Sequence, residues 1–330
     1  MLPLQRNIRR KMKIIRFLKD WTLPVAMFTG TLLYLVFAFV PFLDGAANFF
    51  RPVFGWILPV VLFLVLFVTF CKVDFNKMRP VSWHFWIGIS QILFVLLLLM
   101  VILLFHLQGG KLILAEAVMV SIIGPCAAAA PVVTSKLGGN LESMTTYTFI
   151  SNLLTALLIP AVFPLINPAA DISFLYAFAE ILYRVCIVLL VPMLLAYIVK
   201  HFMHPFHHWI VGVKDLSFYL WAFCLAIVTG TTVKNIVYAN STVGFILLIA
   251  VMSFVLCMMQ FAVGRFVGRH FNSRIESGQA LGQKNTAFAI WISNVYLNPL
   301  SSVGPGCYIL WQNIINSLEL WQHRKEEKLD

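Results

Sequence analysis

One lysine, Lys284, lies within the long apolar stretch Ala280–Asn294. A charged side chain at membrane depth costs roughly 2.5–3.5 kcal/mol on insertion scales, and the residues that bear this cost are functional candidates. A lysine ammonium can carry a proton or donate three hydrogen bonds to oxygen atoms. Its neighbours Gly282, Gln283 and Asn285 interrupt a helix and add polar groups. The sequence therefore predicts a functional site at Lys284.

A second interruption lies in the first half of the chain. There Gly124 and Pro125 break an apolar run, and Pro131 follows. Proline removes a backbone donor and disrupts the preceding helical turn. Around Lys284 the equivalent helix breaks are predicted at Gly278 and Gly282, which flank the polar residues. Unwound backbone at membrane depth persists only where protein buries it or where it lines a watery cavity.

The rest of the chain consists mainly of apolar runs. Its 330 residues are 61% hydrophobic and 11% charged, with a mean hydropathy of +0.89, whereas soluble domains carry about 25% charged residues. The runs recur near the roughly 20 residues that cross a bilayer as a helix. We predict an all-α polytopic membrane protein with ten transmembrane helices. They are Trp21–Phe42, Val53–Phe70, Trp83–Leu107, Leu112–Leu137, Met144–Ile166, Phe174–Lys200, Leu216–Val233, Val243–Val267, Glu276–Tyr296 and Val303–Trp321.

The ten spans divide into two repeats of five, residues 21–166 and 174–321, with a basic leader at 1–20 and a tail at 322–330. An odd number of spans per repeat inverts the second repeat relative to the first. The interruptions fall in spans 4 and 9, the fourth of each repeat, and such matched breaks indicate a transporter binding site. We expect the broken helices to cross near the centre, where restarting helix N-termini favour an anion.

Basic residues are distributed unequally between the two sides of the predicted membrane. Nineteen of the 24 lysines and arginines fall on one side, which the positive-inside rule makes cytoplasmic, together with both termini. Anchoring in the lipid bilayer therefore explains the net charge of +11, and no nucleic-acid partner is expected. The compact loops favour the cytoplasmic (inner) membrane of a bacterium.

Cysteines and histidines offer little support for a metal or a cofactor. The six cysteines are scattered without a Cys-x-x-Cys pair and are interpreted as apolar filler. Four histidines share one loop, but Pro205 divides them and a metal site would need defined geometry. Interfacial histidines are therefore favoured over a metal site. The four are His201, His204, His207 and His208.

Three motifs resemble those of the bile acid:sodium symporter family. Residues 124–140 resemble its fourth-span signature, 282–285 its Gly-x-Gln-Asn motif, and 310–314 its last-span Trp-His-Asn motif. The resemblance implies two inverted five-span repeats with crossed broken helices 4 and 9. It also implies a panel domain of spans 1, 2, 6 and 7 and a core domain of spans 3–5 and 8–10. Family members transport organic anions, including bile acids, sulfated steroids and small carboxylates, usually driven by sodium.

The chain departs from this family at the sodium ligands. Of the seven side chains that the resemblance assigns to the ion, only Gln91 and Thr148 remain. The other five positions hold Ala130, Pro131, Met144, Ala280 and Lys284. Two unit charges at 4 Å repel by roughly 4 kcal/mol at an effective dielectric of 20, so a fixed ammonium excludes sodium.

We therefore predict a secondary transporter of an organic anion that is independent of sodium, with Lys284 in place of the ion. Lys284 either stays protonated and holds the crossing together, or loses its proton in one conformation and links transport to protons. The substrate cavity is predicted at Thr134, Asn285 and Gln312. Gln283 and Asn313 complete the predicted substrate and ion site.

Other classes fit the sequence less well. A proton-linked transporter of another crossed-helix family would be expected to carry aspartates at mid-membrane, and the span interiors contain none. An intramembrane enzyme would need paired acids or a Ser–Lys couple, and Ser293 lies nine residues from Lys284, off its helical face. A membrane sensor that has lost transport remains a further alternative.

Overall fold

The computed structural model describes residues 17–167, 173–239 and 241–326. Most of the basic leader, residues 1–16, and the last four residues of the tail lie outside the described residues. Within the described ranges the secondary structure is helical, without strands. Six of these helices are long and apolar enough to cross a membrane. The prediction of a helical membrane protein is thus confirmed.

The helices of the first half are α1 (Thr22–Phe39), α2 (Asp44–Lys72), α3 (Ser82–Leu104), α4 (Gly109–Ile123), α5 (Ala130–Lys136) and α6 (Leu141–Ile166). Those of the second half are α7 (Phe174–Val185), α8 (Val191–Phe202), α9 (His204–Gly212), α10 (Leu216–Val237), α11 (Val243–Arg269), α12 (Arg274–Gly282), α13 (Thr286–Tyr296) and α14 (Val303–Glu326). A π-helical turn, Cys186–Leu190, joins α7 to α8. A 3-10 turn, Pro299–Ser302, precedes α14.

The six candidate membrane helices are α1, α3, α6, the joined α7 and α8, α10 and α11. Helix α2 carries a shorter apolar stretch, Trp56–Lys72. Each of the two predicted interrupted spans is divided into a pair of short helices, α4 with α5 and α12 with α13. Helix α14 occupies the last predicted span. The interruptions seen in the sequence are therefore real ends of helices.

Side chains at the helix starts explain where several elements begin. Asn140 accepts a hydrogen bond from Ser143 N at 2.7 Å at the start of α6. Asn285 accepts one from Phe288 N at 3.2 Å at the start of α13. Asparagine is a favoured N-cap because its oxygen satisfies a free backbone N–H in the first turn. The cap at Asn285 therefore marks the point where the second broken helix restarts.

Glycines bring two pairs of helices into close contact. A Cβ atom at Gly30 would overlap the carbonyl oxygen of Ala226, so α1 packs directly on the backbone of α10. A Cβ atom at Gly264 would likewise overlap the carbonyl oxygen of Ser277, so α11 packs directly on α12. Small residues at helix contacts allow such close packing in membranes. The first half of the second broken helix, α12, therefore packs closely against the long helix α11.

Both broken helices contribute to the main buried apolar cluster. Its members include Met119 of α4, Phe163 of α6, Phe261 of α11, Ile292 of α13 and Tyr308 of α14. Apolar burial alone gives membrane helices little reason to associate, because lipid is equally apolar. The polar groups between the breaks therefore have a large part in holding this arrangement together.

Candidate functional site at the helix crossing

The two unwound segments pair with each other as a short antiparallel strip of backbone. Ala127 N donates to Gln283 O, and Asn285 N donates to Pro125 O, both at 2.9 Å. Backbone groups buried away from water need such partners. The two interruptions therefore meet, and each satisfies backbone groups that the other has left without a helical partner.

The ammonium of Lys284 lies at the C-terminal end of α4. The residue is 1% exposed, and Nζ donates to Ile122 O at 2.9 Å and to Gly124 O at 3.1 Å. The last carbonyls of a helix have no partner within the helix and carry partial negative charge. A cation is stabilised at such a position. The side chain of Lys284, in the second broken helix, thus caps the C-terminal end of α4, which is the first half of the other broken helix.

Gln91 of α3 lies at the same helix end as Lys284. Its Nε2 contacts Ile122 O and Ile123 O at 3.2 Å and Gly124 O at 3.3 Å. The two side chains therefore share acceptors, and both bring donors to them. Two neighbouring donor groups thus serve one set of carbonyls at the end of α4.

Helix α6 adds hydroxyl groups that the sequence interpretation missed. Thr155 Oγ1 donates to Ile123 O, and Ser151 Oγ accepts from Cys126 N, both at 2.8 Å. Their i, i+4 spacing on an apolar span was the available signal. Thr148, predicted beside Lys284, donates to a carbonyl one turn earlier in α6 at 3.0 Å. Its side chain also contacts that of Cys126, the residue paired with Lys284.

Gln312 of α14 binds the backbone of Lys284. Its Oε1 accepts from Lys284 N at 2.8 Å, and its Nε2 donates to Lys284 O at 3.2 Å. The amide thus uses one donor and one acceptor, as the edge of a neighbouring strand would. One turn earlier in α14, Tyr308 donates to Gly282 O at 2.7 Å. Helix α14 therefore holds the second unwound segment through hydrogen bonds to the backbone of Lys284 and Gly282.

Three other predicted site residues are buried. Gln283, Thr134 and Asn313 are each 0% exposed. Within the described residues, both amide atoms of Gln283, Thr134 Oγ1 and Asn313 Oδ1 have no hydrogen-bond partner. Leaving a buried polar group unpaired costs roughly 1–3 kcal/mol. Asn285 is partly exposed and caps α13.

Two of the predicted helix breaks need correction. Gly278 lies inside α12, where an added Cβ would meet Arg265 Cγ at 2.8 Å. It serves close packing against α11 rather than a break. Pro131 lies in the first turn of α5, where its missing N–H has no helical partner to lose. The unwound segments are residues 124–129, which begin with Gly124 and Pro125, and residues 283–285, which follow Gly282.

Three positions that the resemblance assigns to sodium ligands are packed with carbon atoms. Ala130, Met144 and Ala280 are each 0% exposed and belong to one buried apolar cluster, together with Tyr147. None of the three side chains offers an oxygen atom. A cation at these positions would therefore lack side-chain ligands from them.

The four histidines predicted to share a loop lie in helices instead, His201 in α8 and the other three in α9. Two of them contact backbone carbonyls. A ring nitrogen of His201 lies 2.8 Å from Tyr197 O, and one of His207 lies 2.8 Å from Cys71 O. Among the described residues, no group of three or more His, Cys, Asp or Glu is placed to hold a metal ion.

Two buried glutamates make equivalent contacts at the two broken helices. Glu116 of α4 accepts from Asn298 N at 3.2 Å, in the loop that follows α13. Glu276 of α12 accepts from Asn140 N at 2.6 Å, in the turn that follows α5. Each carboxylate thus lies in the first half of one broken helix and binds the loop that follows the other. The two broken helices are tied together at both ends as well as at the crossing.

Comparison with known proteins gives the family. Residues 59–239 match the family model described as the Sodium Bile acid symporter family. This is more than half of the chain, and it includes the first broken helix but not Lys284. A search of the curated proteins gave no significant match. Because the family model matches more than half of the chain, from within α2 to just beyond α10, the chain belongs to the sodium bile acid symporter family, whose members transport bile acids and related organic anions.

Proposed function

We propose that this protein is a secondary transporter of an organic anion that works without sodium, with the ammonium of Lys284 in place of the coupling ion. The observation that carries the proposal is the position of Nζ, at 2.9 and 3.1 Å from two carbonyls at the end of α4. A sodium ion held beside this ammonium would be repelled by several kcal/mol, roughly 4 at 4 Å and an effective dielectric of 20.

The packing around the crossing supports the same proposal. Sodium is bound by oxygen atoms, and the apolar cluster at Ala130, Met144 and Ala280 supplies none from its side chains. Gln91 uses its amide nitrogen, rather than its oxygen, on the carbonyls at the end of α4. The ammonium of Lys284 therefore takes the place of the ion. Carbon atoms of the apolar cluster take the place of three of its ligands.

We propose the ten-span architecture on the following grounds. Six candidate spans, α2, α14 and the two broken pairs α4–α5 and α12–α13 make ten crossings. The equivalent contacts of Glu116 and Glu276 support two inverted repeats, 21–166 and 174–321. The panel would comprise α1, α2, α7 with α8, and α10, and the core the remaining spans. Both termini would be cytoplasmic in a bacterial inner membrane.

The substrate is proposed to bind where the crossing offers free polar groups and a helix start. Gln283, Thr134 and Asn313 carry buried polar atoms without protein partners. The N-terminus of α13, at Asn285, adds the partial positive charge that favours an anion. Gln312 acts on this site through the backbone of Lys284 rather than by direct contact with the substrate.

Uptake by proteoliposomes tests this function. The radiolabelled probes are taurocholate, a sulfated steroid and succinate, each offered in sodium, potassium or choline chloride. We expect at least one anion to enter at equal rates in the three salts, and Lys284→Gln to slow its entry. Lys77→Gln is the matched control, since Lys77 is exposed. Steep sodium dependence would contradict the role of Lys284, whereas entry of none of the anions would contradict transport itself.

A further inference from the structure

We infer that the protein moves its anion alone, so that an inside-negative membrane potential drives the anion out of the cell. The inference rests on the proposed function and adds to it the charge carried in each cycle and the direction of net transport. It follows from three features of the crossing: a cation that cannot leave, no proton acceptor among the described groups to which its ammonium donates, and a backbone whose polar groups are paired within the protein.

The cation at the crossing is part of the chain. A dissociable ion crosses the membrane once in each cycle and adds its charge to that of the substrate. Lys284 instead travels with the protein on the outward and the return step, so its charge cancels over the cycle. Only the charge of the substrate then remains as the net charge moved.

Among the described residues, the groups to which Lys284 Nζ donates a hydrogen bond give its proton no acceptor. Nζ donates to two backbone carbonyls, and neither takes up a proton. Glu116 lies eight residues before Gly124, and Glu276 eight residues before Lys284, which is roughly 12 Å along a helix. Both carboxylates accept backbone N–H groups at the ends of the broken helices instead. A proton is therefore not exchanged with Lys284 by any group that its ammonium contacts.

The backbone polar groups of the crossing find their partners within the protein. Ala127 N and Asn285 N pair with backbone oxygens across the strip, and Gln312 satisfies both backbone polar groups of Lys284. These bonds lie within the protein, so the unloaded core needs neither an ion nor a counter-substrate to stay assembled. An empty protein can then return, which distinguishes a uniporter from an obligatory exchanger.

The membrane potential sets the size of the effect. One elementary charge across 100 mV corresponds to about 2.3 kcal/mol, or about a fiftyfold concentration ratio for a monovalent anion. A uniporter would hold the anion at the lower concentration inside an inside-negative cell. Symport of one anion with two sodium ions would carry a net positive charge and reverse the sign. The replacement of the ion by Lys284 therefore turns accumulation into export.

The test measures equilibrium distribution against an imposed potential. Proteoliposomes with valinomycin receive a series of potassium gradients at constant pH, with radiolabelled taurocholate as the monovalent probe and succinate, at a pH where both carboxyls are ionised, as the divalent one. A tenfold potassium gradient should shift the taurocholate ratio about tenfold and the succinate ratio about a hundredfold, away from the negative side. The shift should be the same in sodium and in choline, and Lys77→Gln should behave as the unmodified protein.

Four results would overturn the inference. Accumulation on the negative side would mean that cations accompany the anion. A distribution that follows a pH gradient and ignores the potential would mean proton coupling. Flux that requires an anion on the opposite side would mean obligatory exchange. These three leave the transporter function intact, whereas no movement of either probe, nor of the sulfated steroid, would overturn the proposed function together with the inference.

Discussion

The two broken helices meet at one crossing but bring opposite chemistry to it. The first break, residues 124–129, has no charged side chain and offers carbonyl oxygens at the end of α4. The second break, residues 283–285, is polar throughout and offers the ammonium of Lys284. Each break donates one backbone bond to the other, but in the bonds of the Lys284 ammonium only the second break donates and only the first accepts. The difference shows that the crossing is a complementary pair, in which the charge resides entirely on one side.

Away from the crossing the two broken helices are alike. Glu116 and Glu276 occupy equivalent places and each binds an asparagine N–H across the pair. The features that the two broken helices share therefore lie at their ends, and those in which they differ lie at the crossing. Substitutions at the centre should have unequal effects in the two halves, whereas substitutions at the ends should have equal ones.

Lys284→Ala should have the largest effect, because it removes the donating ammonium of the crossing. Two carbonyls at the end of α4 would lose their ammonium donor and would share only Gln91 Nε2, which also contacts Ile123 O. A buried acceptor left unpaired costs roughly 1–3 kcal/mol. We expect a large fall in the thermal unfolding temperature in detergent and loss of transport. Lys77→Ala should change neither. An unfolding temperature equal to that of the control would show that Lys284 does not hold the crossing.

Gln312→Glu should have a smaller effect that depends on pH. An ionised carboxylate can accept from Lys284 N but cannot donate to Lys284 O, which leaves one buried group unpaired at roughly 1–3 kcal/mol. A protonated carboxyl can do both. The variant should therefore be nearly as stable as the unmodified protein in acid and should lose stability as the pH rises.

Thermal unfolding from pH 4 to pH 8 measures this dependence. Gln312→Met, which removes both hydrogen bonds, is the control and should be destabilised equally at every pH relative to the unmodified protein. Parallel curves for the two variants would exclude the proposed action of Gln312 on the Lys284 backbone.

Returning oxygen ligands to the crossing should restore a response to sodium. The triple variant Lys284→Gln, Ala280→Glu, Met144→Ser replaces the ammonium and part of the apolar cluster by groups of the family pattern. At ten times its dissociation constant, sodium would add about 1.4 kcal/mol of stability. Unfolding in sodium and in choline chloride measures the difference, which should be zero in the unmodified protein. A sodium response already present in the latter would refute the substitution of the ion by Lys284.

Glu116→Gln and Glu276→Gln should have the smallest effects, and equal ones. Each amide keeps an oxygen acceptor for the asparagine N–H but loses the charge that strengthens the bond, at about 1 kcal/mol. Equal shifts in unfolding temperature would support the equivalence of the two ends. A shift several times larger for one variant would show that the repeats differ there as well as at the centre.

The sequence predicted the helical membrane class, the family and the two interrupted helices, because apolar runs, Gly and Pro are local signals. It did not predict that Gln312 binds the Lys284 backbone, because that contact depends on how two distant helices face each other. Gly278 was predicted to be a helix break, because the sequence does not distinguish a glycine that ends a helix from one that allows two helices to pack closely. Thr148 was placed beside Lys284 by family resemblance, and that placement stays a prediction; its hydroxyl also donates to its own helix.

The strip of paired backbone at the crossing also fixes a register. Successive side chains of an extended segment point to opposite sides, so a slip of one residue would bring Gln283 or Asn285 to the end of α4 in place of Lys284. The two backbone bonds of the strip and the two from Gln312 oppose such a slip. The length of segment 283–285 is therefore constrained as well as its composition. A one-residue insertion or deletion there would displace the cation from the helix end, even with every side chain of the site still present.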